Sequence, residues 1–246
     1  MNYLYSNLNQ PLIPSNINNL KQMNLKGLIV DFECDSDLCS FLENNNIKEN
    51  YYRIKLYELD LDNIGWGYIE EEVKKAFNFG FYGFAIDGEP YSGIKIWETN
   101  PKKIIEFSEC FNRIIKKYFN NLIIYPENLG REKYLYYNFF INGISKDLNT
   151  KILMERTYNV WKPWDIFILY NRTKKEYKNA EIIIGVWYES MVDCIFYKTL
   201  PLPIRKLLAI IPQFFQFLST KFHKNRFYYS ETTEFLNSKW LKFLSK

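Results

Sequence analysis

Gly83-Phe84-Ala85-Ile86-Asp87-Gly88-Glu89-Pro90-Tyr91 begins as a short apolar run and ends in two carboxylates separated by one glycine. An apolar run of this length, bounded by Gly and Pro, predicts a buried strand. Residues i and i+2 of a strand share a face, so Asp87 and Glu89 are expected to point the same way at the strand's C-terminal end. Two carboxylates on one face of a buried strand are costly to place, and one pKa is expected to rise. A carboxyl group kept protonated near neutral pH in this way can act as a general acid.

The pattern recurs on both sides of this stretch. Strands are expected at Asn2–Ser6, Gly27–Glu33, Tyr51–Asp60, Leu122–Glu127, Lys151–Tyr158, Ala180–Glu189 and Arg226–Glu231. Helices are expected at Asn16–Met23, Asp35–Asn44, Ile69–Asn78, Pro101–Phe119, Glu132–Ile144, Pro163–Arg172, Pro203–Phe222 and Phe235–Leu244. Strands that alternate with helices and are apolar throughout imply a parallel sheet. Eight such units in 246 residues fit a single (β/α)8 TIM barrel spanning residues 1–246, since that fold typically needs ~250 residues. Neither a GxGxxG nor a GxxxxGK[ST] pattern occurs, which argues against dinucleotide and P-loop phosphate sites.

Composition narrows the function classes. Hydrophobic residues make up 47% and charged residues 24%, as in a globular chain with a substantial core. The net charge of +4 is too small to argue for a nucleic-acid partner. Cys34, Cys39, Cys110 and Cys194 include no CxxC pair, and His223 is the single histidine, so no Cys/His metal site is expected. No cofactor is expected either. The first ten residues lack the apolar core of a signal peptide, which points to a cytoplasmic protein.

In barrel enzymes the active site lies at the C-terminal ends of the strands. Those expected ends carry Glu33, Glu58, Asp87, Glu89, Glu127, Glu155, Glu189 and Glu231, accompanied by Tyr91, Tyr125, Tyr158, Trp187 and Tyr188. Carboxylates without histidine or cysteine suit glycoside chemistry, in which acids supply both the proton and the nucleophile or base. Flat aromatic rings suit the faces of sugars. A carbohydrate substrate follows from this set, with Tyr91, Tyr125, Glu127, Tyr158, Trp187 and Glu231 as candidate binding residues.

The stretch Phe81–Glu89 resembles the fourth-strand signature DxxDxDxE of family 18 glycoside hydrolases, the chitinase-type barrels. Asp87 stands at the last aspartate of that pattern and Glu89 at its glutamate. The first two aspartates are absent: an aromatic residue and Ala85 occupy those places. Met154-Glu155-Arg156-Thr157-Tyr158-Asn159 is loosely similar to the family's Met-x-Tyr-Asp region. The resemblance implies that Glu89 is the general acid and that Asp87 orients the acetamido group of the substrate. In a two-carboxylate scheme, Glu189 and Glu155 are the leading candidates for the second group, followed by Glu231 and Glu127.

Two other readings stand beside the hydrolase. One is a catalytically inactive barrel that binds a glycan or a protein. The other is a metal-dependent lyase or isomerase holding Mg²⁺ in the acid ring. That chemistry needs a Lys or His base near the acids, and the expected strand ends supply none. Residues 200–224 form an apolar run flanked by Arg205, Lys206, Lys221 and Lys224. We read this run as a barrel helix packed on the sheet, with weak contact to a membrane surface as the alternative.

Overall fold

A strand whose two faces are both covered has no polar side, and its sequence reads as a continuous apolar run. The computed structural model shows where each face goes. It describes residues 2–6, 25–30, 40, 42–56, 65–88, 101–126, 137–155, 165–187, 200–201, 203–204, 207 and 226–230. Eight strands are formed: β1 (Asn2–Ser6), β2 (Leu25–Val30), β3 (Tyr51–Lys55), β4 (Gly83–Asp87), β5 (Asn121–Tyr125), β6 (Asn149–Glu155), β7 (Glu181–Trp187) and β8 (Arg226–Ser230). They pair in parallel in chain order, and β1 also pairs with β8, from Asn2↔Arg226 to Ser6↔Ser230. The sheet is thereby closed on itself.

Closure creates two separate cores, divided by the two-residue period of the strands. Ile29, Tyr51, Ala85, Ile123, Tyr125, Leu153, Ile183 and Phe227 form one buried cluster, which fills the barrel interior. The alternate residues, such as Tyr52, Ile54, Phe84, Ile86, Leu122, Ile124 and Ile184, join a second cluster with the helices. In-register pairs keep the inner set together: Arg53 faces Ala85, Lys55 faces Asp87, and Asp87 faces Tyr125. Gly185 pairs with Phe227, and a Cβ at that glycine would overlap the Phe227 ring. The glycine is what lets the ring enter the interior.

Four helices are described between the strands: α1 (Trp66–Asn78), α2 (Pro101–Lys116), α3 (Tyr137–Ile144) and α4 (Asp165–Glu176). α1 buries Ile69, Val73 and Ala76, three and four residues apart as an amphipathic helix requires. It starts three residues before the expected Ile69, at Trp66, after the N-cap Gly65, which makes no side-chain capping hydrogen bond. α2 opens with Pro101, a residue suited to the first turn. It packs on α3 through Asn112, whose Nδ2 donates to the Ile144 and Lys146 carbonyls at 2.6 and 3.0 Å. Ile144 ends α3 and Lys146 lies in the turn after it, where helix carbonyls need partners from outside the helix. α4 runs four residues past the expected Arg172, with Lys174 and Lys175 in its last turn, where cations meet the negative end of the helix dipole.

Two strands stop earlier than expected: β3 at Lys55, before Asp60, and β5 at Tyr125, before Glu127. Lys55 pairs with the last residue of β4, and Asp87 with the last residue of β5. At those rows the β3–β4 and β4–β5 ladders end. Tyr158, expected within the sixth strand, lies outside the described residues. No helix among the described residues is long and apolar enough to cross a membrane. Most of residues 200–224 lies outside the described residues, although Pro203 and Ile204 are helical.

Candidate active site

β4 delivers Asp87 to the C-terminal rim of the barrel interior. The carboxylate is 4% exposed and meets a cation that the sequence reading missed. Arg53 Nη1 donates to Asp87 Oδ2 at 3.3 Å, with the two side chains 0% and 5% exposed. Arginine stays charged at any working pH, so its neighbour favours the carboxylate form. Asp87 thus lies buried against a cation, with its other oxygen able to accept from other donors.

Lys55 stands one inward step above Arg53 on β3, in register with Asp87. The sequence reading expected no lysine or histidine at a strand end, and the structure corrects this. The signal was present in Tyr51-Tyr52-Arg53-Ile54-Lys55: the two cations share one parity with Tyr51. Tyr51 belongs to the inner cluster while Tyr52 and Ile54 face the helices, so that parity points inward.

Tyr125 closes the row on the far side of Asp87. It is buried against Phe227, edge to face at 5.8 Å between ring centres. Its carbonyl accepts a hydrogen bond from Gly88 N–H at 2.9 Å. Gly88 has φ +71°, in the left-handed region that glycine enters without penalty. This modifies the expected side-by-side geometry of Asp87 and Glu89, because strand alternation holds only through Asp87. The chain turns at Gly88, and an i, i+2 argument does not carry across it.

The other site candidates divide into two groups. Glu155 and Trp187 are the last residues of β6 and β7, Glu155 pairing with Gly185 and Trp187 with Tyr229. Glu89, Tyr91, Glu127, Tyr158, Glu189 and Glu231 lie outside the described residues, as do Glu33 and Glu58. Among the described residues, no group of three His, Cys, Asp or Glu side chains converges on a metal position.

A second polar cluster lies at the opposite end of the interior. Lys151 Nζ donates to Tyr51 Oη at 3.2 Å and lies 3.5 Å from Glu49 Oε2. Lys26 Nζ holds the other Glu49 oxygen at 2.7 Å. Burial, followed by the charge of Glu49, pushes the Tyr51 phenol above its usual range. The ring of Tyr51 also occupies the space beside Gly83, where a Cβ would lie 2.6 Å from it.

No family model matches the chain, and no curated protein matches it. Solved structures do resemble it. A family 18 chitinase from Crocus vernus aligns over 99% of this chain and 96% of its own, with TM-score 0.54 and 11% identity. An N-acetylneuraminate lyase from Fusobacterium nucleatum aligns over 98% and 79%, with TM-score 0.44 and 14% identity. An HpcH/HpaI aldolase from Desulfitobacterium hafniense DCB-2 aligns over 99% and 92%, with TM-score 0.41 and 11% identity. At such identities the likeness speaks to architecture alone. Together with the closed parallel sheet, the first of these defines the class as a TIM-barrel fold.

Proposed function

We propose that the chain is a glycoside hydrolase on a complete (β/α)8 barrel spanning residues 1–246. Glu89 is its general acid and Asp87 its orienting carboxylate. The observation that carries this reading is the position of Asp87: buried, paired with Arg53, at the C-terminal end of β4 and two residues before Glu89 in sequence. Charged side chains are rarely buried on a barrel wall unless something uses them, and this end of a barrel is where chemistry is done. Tyr125 beside Asp87 gives one wall of a sugar site. Glu155 and Glu189 are the candidate second carboxylates, with Tyr91, Glu127, Tyr158, Trp187 and Glu231 completing the binding surface.

One observation favours a second reading, an inactive barrel that binds a glycan or a protein. Ala85 replaces a carboxylate of the resembling pattern, and Asp87 already has a salt-bridge partner. A panel of unactivated oligosaccharides, assayed for reducing ends and for binding, separates the two. Under the hydrolase reading, Glu89→Gln lowers turnover of an unactivated glycoside by ~10²–10⁴-fold, the usual yield of general acid catalysis, and leaves binding intact. Wild-type turnover in Glu89→Gln removes Glu89 from the mechanism. Binding without cleavage by the wild type makes the chain a binder.

A further inference from the structure

We infer that Arg53 is a positioning residue: it fixes Asp87 as a permanent anion, which serves as an acceptor and not as a proton donor. The inference rests on the reading of Glu89 and Asp87 given above, and it adds a residue and a charge state to it.

The argument begins with register. Arg53 and Ala85 are partners across β3 and β4, and Asp87 lies one inward step beyond Ala85. Two strand residues span ~6.6 Å, a distance an arginine side chain covers. Its guanidinium therefore reaches up the wall past Ala85 to the carboxylate. A methyl group at position 85 leaves room for this. A carboxylate there, as in the resembling pattern, would place a second acid on the same inner row and compete for the same cation. The loss of an acid at Ala85 and the presence of a base at Arg53 are thus two halves of one arrangement.

The charge count follows. Among the described residues, the ionisable groups in register beside Asp87 on the neighbouring strands include Arg53 and Lys55 on β3 and the Tyr125 phenol on β5. Both cations favour the carboxylate form. In this arrangement Asp87 offers the substrate a fixed acceptor for an N–H or O–H donor.

The test is carbon-13 NMR of the Asp87 carboxylate in the full-length protein, assigned with Asp87→Asn. The expected result is a signal that stays in the ionised position down to about pH 4, where an ordinary aspartate is half protonated. A signal that titrates at or above that pH overturns the inference. This readout needs no activity, so it is independent of whether any glycan is cleaved. In the enzyme assay, Arg53→Gln should lower kcat by ~10²-fold, the cost of misplacing a catalytic group, with KM little changed. It should also add a second titration to the acidic limb of the pH profile, from the released Asp87. Arg53→Lys should restore the single-titration profile. If Arg53→Gln folds and keeps the wild-type profile and kcat, Arg53 is a wall residue only. Should Glu89→Gln prove fully active, the hydrolase reading fails while the NMR result still decides the charge state of Asp87.

Discussion

At the N-terminal end of the barrel interior, Lys151, Glu49, Tyr51 and Lys26 share their hydrogen bonds among four side chains, and Lys151 and Glu49 remain 10% and 15% exposed. Near the C-terminal end, Arg53 and Asp87 form an ion pair that is 0% and 5% exposed. Both clusters place a cation and an acid inside the same apolar tube. The first keeps a path to water and spreads its charge. The second is desolvated, and several kcal/mol per ion is the usual cost of such desolvation. A barrel's N-terminal face serves stability and its C-terminal face function. The two clusters differ along that axis: charge is relaxed at the N-terminal end and confined at the C-terminal end.

The comparison can be broken by removing one cation at a time. Arg53→Met leaves a desolvated carboxylate without its cation, and should destabilise the fold by ~3–5 kcal/mol. Adding Asp87→Leu to it should recover most of that loss, as judged by urea denaturation. If Arg53→Met alone proves neutral, the pair is less desolvated than its geometry states. Lys151→Met should cost less, about 1–3 kcal/mol, because Glu49 keeps Lys26 and contact with solvent. Equal losses at the two ends would erase the distinction.

The smallest effect is one of pH. Burial raises the Tyr51 phenol above 10.0, and burial likewise raises Tyr177. A group raised in the folded state contributes its full stability below the unfolded value, and loses it as pH climbs beyond. The unfolded chain ionises its tyrosines near pH 10 while the folded chain resists, so stability should decline above about that pH. Tyr51→Phe should flatten the decline between about pH 9 and 11, measured as melting temperature against pH. An unchanged slope would mean that Tyr51 ionises freely in the folded protein.

The strand centres were legible in the sequence because a parallel barrel buries both faces of every strand, leaving runs such as Leu122-Ile123-Ile124 without a polar residue. The strand ends were not, because a ladder ends where its neighbours end, and the stops at Lys55 and Asp87 are set by pairing across β3, β4 and β5. Asp87 was found from its acid-glycine-acid context. Arg53 was missed because a charged residue at alternate positions of a strand ordinarily marks a solvent face. Recognising a closed sheet removes that option and turns Arg53 and Lys55 into interior residues. Gly88 escaped for a local reason: a glycine between two acids looks like continued strand until its positive φ is seen.

The pairing of β1 with β8 has a consequence for how the chain finds its shape. Tyr51 meets Gly83 across 32 positions, whereas Asn2 meets Arg226 across 224. Loop-closure entropy grows with the logarithm of that separation, so the sevenfold longer loop costs only ~1.7 kcal/mol more. The long-range seam is therefore thermodynamically modest but kinetically demanding, since contacts between distant parts of a chain slow the search. β3, β4 and β5 can assemble early from short crossovers, carrying Arg53 and Asp87 together before the cylinder is complete. The interior charge pair is thus built into the part of the wall that needs the least searching.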